Sequence, residues 1–224
     1  KRLGVHINFA PVVDVNSNPN NPIINNRSFG EDPNRVAILG INYMQGLQDG
    51  GVLACAKHFP GHGDTDTDSH KTLPIIPHTK ERLDSIDLVP FKQMFNSGLG
   101  SIMVAHLYIP ELDNTKNLAS TLSPKIVTDL LKKEMGFEGL IFTDALNMKG
   151  VSDFYDPGEL DIKALLAGND VLLFAEDVPK AIEKIKDAIV KKQISQDELD
   201  KRCRKILLAK KWFGLDEVKL IKED

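Results

Sequence analysis

Five short segments of this chain are apolar almost throughout, and none shows the period-two alternation of a strand with one wet face. They are Val5 to Val13, Val52 to Ala56, Ser101 to Ala105, Leu140 to Thr143 and Val171 to Phe174. A strand without alternation must be covered on both faces, as happens when a parallel sheet is flanked by helices. Helix signals do separate the five, so the pattern points to a (β/α) barrel or an open doubly wound sheet. A complete eight-stranded barrel takes about 250 residues. At 224 residues with five strands, a barrel reading requires further strands on the N-terminal side.

The helix signals are local chemistry. Asp32-Pro33 supplies an N-cap and a first-turn proline, and Val36, Leu39, Tyr43 and Leu47 follow at helical spacing until Gly50-Gly51. Ser123-Pro124 repeats the device before Ile126, Val127, Leu130 and Leu131, ending at Gly136. Thr79 to Asn96 is helical in pattern but contains Pro90, which should kink or divide it. Ser195 to Glu198 forms a capping box before Leu199, Cys203, Ile206 and Leu207, with Gly214 as the stop. Asn16 to Asn26, rich in Asn and Pro, is a long loop.

Four apolar segments deliver an ionisable residue at their C-terminal end: Asp14, the pair Lys57-His58, His106, and Asp144 closing Gly139-Leu-Ile-Phe-Thr-Asp144. Side chains leaving parallel strands at their C-terminal ends converge on one mouth, so this reads as the rim of an active site. The loop Lys57 to His70 adds His58, His62 and His70 with Asp64, Asp66 and Asp68 around Gly61 and Gly63. Metal binding fits it poorly. Asp64, Asp66 and Asp68 mimic the start of a calcium loop, but Ser69 replaces its turn glycine and Ile75 its bidentate Glu. His58 and His62 have zinc-helix spacing, but Pro60, Gly61 and Gly63 forbid the helix. Asp68-Ser69-His70 places a carboxylate where it can orient an imidazole and raise its pKa, which suits a general acid/base.

Five stretches together resemble glycoside hydrolase family three, in its bacterial β-N-acetylglucosaminidase branch: Lys57-His-Phe-Pro-Gly-His-Gly-Asp-Thr65, Asp68-Ser-His70, Asn26-Arg-Ser-Phe-Gly-Glu-Asp-Pro33, Pro11-Val-Val-Asp14 and Phe142-Thr-Asp-Ala-Leu-Asn-Met148. The resemblance runs over nearly the whole chain. It implies a TIM-type (β/α)8 barrel, here carrying about five later βα units with the first strands lying before Lys1. Residues 1–224 would then form one N-terminally incomplete catalytic domain. By position, Asp144 matches a nucleophile that forms a covalent glycosyl-enzyme intermediate with retention. His70 matches the acid/base, with Asp68 orienting it. Arg27, Lys57 and His58 match residues that hold sugar hydroxyls, while Asp14, His62 and His106 are expected to line the same mouth. A further acidic sugar-gripping residue of the family would lie before Lys1. No cofactor or metal is implied. The implied substrate is a peptidoglycan fragment carrying terminal N-acetylglucosamine.

A histidine acid has physical sense opposite a carboxylate. Two carboxyls about 5 Å apart raise each other's pKa, whereas an imidazolium attracts the nucleophile. An imidazole flank would also not repel an anionic acceptor, so phosphate could compete with water. Blander roles stay open: Asp144 as a helix N-cap, Arg27 paired with Glu31 or Asp32, Lys57 as a surface lysine. The rivals are a β-glucosidase or xylosidase of the same superfamily, and an inactive sugar-binding fragment completed by a fused or partner segment.

Composition excludes other classes. With 42% hydrophobic and 27% charged residues the chain is globular, and a net charge of -4 with no basic patch argues against nucleic acid. No apolar run approaches the roughly 20 residues of a membrane span. Cys55 and Cys203 lack metal or disulfide spacing and read as reduced core thiols. Lys1-Arg-Leu-Gly4 leads straight into a strand, which reads as a piece of a longer protein and leaves the compartment, bacterial cytoplasm or periplasm, open.

Overall fold

The structure, a computed structural model, describes residues 4–66 and 72–216. Four strands form one parallel sheet in the order β1 (Ile7–Asn8), β2 (Leu53–Phe59), β3 (Ser101–Val104) and β4 (Leu140–Thr143). The register sets Ile7 beside Leu53, Cys55 beside Ser101, and Ser101 beside Leu140. Helices separate the strands, giving a TIM-barrel-like α/β arrangement in which all four C-terminal strand ends share one edge.

The absence of alternation in the strands is explained by their two covered faces. Ala54, Ala56, Ile102, Val104 and Ile141 pack with Val36 and Met44 of α1 (Pro33–Asp49), Phe91 and Met94 of α3 (Val89–Asn96), and Ile126, Val127, Leu130 and Leu131 of a wide, π-helical segment (Lys125–Glu134). Leu53, Cys55, Met103, Leu140 and Phe142 point the other way, against Ile206 and Ala209 of α7 (Gln196–Trp212) and Phe213 at its C-cap.

Two strands are shorter than expected. Ala10 N turns back to Asn8 O at 2.8 Å and Pro11 has no N–H to give, so the first strand breaks there and resumes only as the Val12 to Lys57 bridge. At the fifth segment only Val171 bridges, to Phe142, because the next ladder donor, Leu173 N, is taken by the side chain of Thr143 at 2.9 Å.

The helix boundaries follow the caps. Asp32 accepts from Arg35 N at 2.8 Å to start α1, and Ser195 accepts from Glu198 N at 3.1 Å to start α7. Pro90 divides its helix as expected: α2 (Lys80–Arg82) runs into a π-helical turn (Leu83–Asp87), and Pro90 then sits in the first turn of α3, where no N–H is missed. The buried stripes differ from the sequence reading. In α1 the core takes Val36, Ala37, Gly40 and Met44, leaving Leu39 and Tyr43 exposed. In α7 Leu199, Ile206 and Ala209 face inward with Arg202, so Cys203 is exposed and is not a core thiol. Arg202 turns inward because it reaches the carbonyls of Leu165 at 2.5 Å and Asn169 at 2.7 Å, which close α5 (Glu159–Ala167). Between α5 and the strand ends lies a short helix, α4 (Lys149–Ser152), and α6 (Val178–Val190) packs on α5. No helix among the described residues is long and apolar enough to cross a membrane.

The turn after β2 is seated by close backbone approach. A Cβ on Gly63 would lie 1.8 Å from Val15 O, and Gly61 has φ +137° with its backbone against Asp87. The expected consequence is that Gly63→Ala destabilises the fold by about 3 kcal/mol, measured by urea denaturation; a loss below about 0.5 kcal/mol would contradict this seating.

Candidate active site

The site is organised around a carboxylate with no solvent exposure. Asp14 follows the Val12 to Lys57 bridge and is 0% accessible. Its Oδ1 accepts from His58 N at 3.1 Å and from His62 N at 2.7 Å, and its Oδ2 accepts from His58 Nδ1 at 2.7 Å. Burial pushes the Asp14 carboxyl up, but the charges and hydrogen bonds of His58 and His62 outweigh it and hold the group below the ordinary carboxylate range. One side chain thus ties the first strand to the end of β2 and to the turn beyond it. The peptide bonds Ala10–Pro11, Lys57–His58 and Phe59–Pro60 in this region are cis.

His62 is also enclosed, at 1% exposure, and pairs through Nδ1 with Thr65 Oγ1 at 2.7 Å. Burial lowers its pKa, with Asp14 pulling the other way. Asn21 completes this layer by donating to His62 O at 2.8 Å and accepting from Ile23 N and Ile24 N at 2.9 and 2.8 Å.

Asp144 sits one residue beyond β4 and is partly accessible. Its Oδ1 accepts from Ala145 N at 2.8 Å. Burial works against ionisation, but the charges of His58, His106 and Lys57 and the Ala145 hydrogen bond prevail, so the group stays ionised below the usual carboxylate range. Lys57, half-buried on β2, is pushed down by burial and by Arg27, while Asp144, Cys55 and Asp14 hold it up. Arg27 is exposed on the helical turn Asn25–Arg27, where Nη1 donates to Ile23 O at 3.2 Å. Asp32, its suggested surface partner, instead caps α1. Beneath Asp144, Cys55 is a buried thiol pushed up to about 12 by desolvation. It is a neutral packing group.

His106 shows how Asp144 is held. It is 0% accessible, pairs through Nδ1 with Thr121 Oγ1 at 2.7 Å, and donates from Nε2 to Ala145 O at 3.0 Å. The histidine holds the carbonyl of Ala145, the residue whose N–H binds the Asp144 carboxylate.

Of the residues singled out in the sequence, Arg27, Lys57, His58 and Asp144 come together, joined by mutual electrostatics. Asp14, His62 and His106, also expected at the mouth, are buried at 0, 1 and 0% exposure, with Asp14 accepting from His58 and His62 and each of the two histidines pairing through Nδ1 with a hydroxyl. Asp68 and His70 lie outside the described residues. Thr65, Asn21 and Thr121 were not anticipated. Their spacing carries no periodic signal, and Asn21 and Thr121 pair with residues 41 and 15 positions away in sequence. Among the described residues, no group of three or more His, Cys, Asp or Glu could hold a metal ion.

An ionised carboxylate at a strand end, flanked by a lysine, an arginine and histidines on one edge of a parallel α/β sheet, is the arrangement that barrel enzymes place at their C-terminal strand ends. Residues 1–209 match the family described as the glycosyl hydrolase family 3 N-terminal domain, and the chain belongs to it. Among curated relatives, "Beta-hexosaminidase A" of Pseudoalteromonas piscicida is 40% identical over 93% of this chain, and "Beta-hexosaminidase" of Nitrosospira multiformis is 38% identical over 83%. The chain spans 38% and 52% of their respective lengths. A solved family 3 β-N-acetylglucosaminidase from Paenibacillus sp. FPU-7 superposes with a TM-score of 0.94 at 39% identity, covering 99% of this chain and 43% of that one. A solved β-glucoside phosphorylase, BglX, gives 0.92 at 25% identity, covering 98% and 41%.

Asp14→Asn is expected to cost about 3 kcal/mol of stability at pH 7, because an amide nitrogen would face N–H donors in a dry site. The Asp14 contribution is full above the unfolded value of 3.8 and is lost as pH falls through its lower folded value. Urea titrations from pH 7 down to pH 3 should therefore bring wild type and variant together only at the acid end; a constant difference across that range would refute the assignment.

Proposed function

We propose that this chain is the catalytic domain, spanning residues 1–224, of a retaining exo-β-N-acetylglucosaminidase, and that its sheet is an arc of a (β/α)8 barrel. Asp144 acts as the nucleophile. The observation that carries this is an accessible carboxylate kept ionised by His58, His106 and Lys57 despite desolvation, with its orientation fixed through Ala145. Attack on an anomeric carbon needs such a group: unprotonated, aimed and poorly hydrated.

In this reading Arg27 and Lys57 hold sugar hydroxyls, with His58 beside them. His70, oriented by Asp68, protonates the leaving oxygen and then activates the incoming acceptor. The similarity to β-hexosaminidases supports N-acetylglucosamine at the non-reducing end, and peptidoglycan fragments as substrates agree with that sugar. A β-glucosidase or xylosidase activity is the nearest rival, and a parallel assay of aryl glucoside against aryl N-acetylglucosaminide separates the two.

In the intact protein, Asp144→Ala is expected to lower kcat on an aryl N-acetylglucosaminide by at least about 10⁴-fold. His70→Ala should slow a disaccharide far more than an activated aryl glycoside, since only the disaccharide's leaving group needs a proton. Full activity in the first variant, or equal losses in the second, would defeat the respective assignment.

A second reading concerns the acceptor. The similarity to a β-glucoside phosphorylase and the cationic surroundings of Asp144 favour phosphate as a competitor of water. Turnover in high phosphate is then expected to yield a glycosyl phosphate detectable by mass spectrometry, and its absence would restrict the chemistry to hydrolysis.

A further inference from the structure

The chain that leaves β3 is clamped to the helical turn Ser120–Leu122 by a closed set of hydrogen bonds. Leu107 N donates to Ser120 Oγ at 3.1 Å, and Ser120 N donates to Leu107 O at 2.7 Å. The hydroxyls of Ser120 and Thr121 each lie 2.5 Å from Ala105 O. His106 sits inside this clamp, and it is 0% exposed together with Ser120 and Thr121. Its Nδ1 meets Thr121, while its Nε2 reaches the turn after β4. That turn is pinned on both sides of Ala145: Asp144 N donates to Val104 O and Leu146 N to Leu173 O, both at 2.9 Å.

Counting protons fixes the state of the imidazole. Thr121 Oγ1 is flanked by two carbonyls, Ala105 O at 2.5 Å and Val104 O at 3.4 Å, and carbonyls only accept. Two oxygens at the shorter separation repel unless a proton lies between them. The single Thr121 proton is therefore given to Ala105 O, and Oγ1 can only accept from His106 Nδ1, at 2.7 Å. Ala145 O has nothing to donate either, so Nε2, 3.0 Å away, must donate to it. Both ring nitrogens then carry protons, which is the cationic form of histidine. A buried cation needs a counter-charge, and Asp144, next to Ala145 in the chain, supplies it. Burial opposes ionisation of Asp144, and His58, His106 and Lys57 overcome it by charge. Of the groups around this carboxylate, His58 and Lys57 come from β2, where Asp14 holds His58 and Arg27 bears on Lys57. His106 comes from beneath.

We propose that His106 is held as a permanent imidazolium, with Thr121 as the acceptor that enforces it, and that it is a positioning residue whose fixed charge keeps Asp144 in its carboxylate form. The proposal rests on the assignment of Asp144 as nucleophile. The charge acts while the carboxylate is free, since an ester formed on Asp144 is neutral. It therefore favours the state of the enzyme that is ready to attack.

Isotope-edited NMR of the intact wild-type protein with labelled histidine reads the proton count directly, the His106 ring being identified by its through-space contacts with Thr121. At about pH 8 an imidazole with the ordinary pKa of about 6.5 is neutral. Both ring nitrogens of His106 are expected to carry a proton there, and a single protonated nitrogen would overturn the proposal whatever the activity. The second readout is the pH profile of kcat/KM on an activated aryl N-acetylglucosaminide, whose acid limb reports Asp144 in the free enzyme. Removing the charge in His106→Gln is expected to move that limb up by about 1 to 3 pH units. Thr121→Val keeps the shape but removes the acceptor, so it should strip the Nδ1 proton and move the limb the same way. Thr121→Ser should restore both. A lower rate with the acid limb unmoved in His106→Gln and Thr121→Val would reduce the pair to packing and overturn the proposal. Should Asp144→Ala keep full activity, the nucleophile assignment fails separately, and two protonated nitrogens would still establish the imidazolium.

Discussion

The carboxylate of Asp14 is the interaction on which the rest of the site depends. Three donors from two residues converge on it, and two of them are backbone amides of the segment that follows Lys57. A buried carboxylate without partners would be strongly disfavoured, so Asp14 is compatible with this fold only while His58 and His62 stand where they do. The constraint runs in both directions. Seating those amides draws the end of β2 toward the first strand, and the Gly63 backbone can then close on Val15 O. Lys57, between the bridge to Val12 and the anchored His58, is left facing the same edge as Asp144.

The chemistry of the edge comes from competing electrostatic terms rather than from any one residue. Desolvation opposes ionisation at Asp14, Lys57 and Asp144 alike. Mutual attraction then splits the outcome: both carboxyls end below their ordinary range, while Lys57, next to Arg27, ends below its own. A cluster built this way keeps Asp144 unprotonated beside Lys57 and Arg27, the kind of mutually perturbed group that marks a functional-site candidate. His106 contributes from below, through charge and through its hold on the Ala145 carbonyl, and so acts on Asp144 without being exposed.

Much of the fold was legible because its causes are local. Asp32 and Ser195 cap the helices they announce, Pro90 divides its helix, and the apolar strands are covered on both faces. The misreadings share one origin. Leu39 and Tyr43 sit at helical spacing just as Val36 and Met44 do, but which stripe turns inward depends on what lies across from it. Arg202 carries a charge, yet it is buried because the carbonyls of Leu165 and Asn169 at the end of α5 need a donor. Asp14 and His106 depend on context in the same way: a polar residue at a strand end carries no local sign of the hydrogen bonds that bury it.

By itself the sequence determined the alternation of strands and helices, the caps, and the set of ionisable residues delivered to one edge, because strand parity, proline and capping chemistry act over a few residues. Only the tertiary structure decided which of those residues remain at the surface to act and which are spent on holding the others. That division rests on hydrogen bonds spanning more than 40 positions, such as those of His58 and His62 to Asp14, and on desolvation, which has no value until the chain has closed around the group.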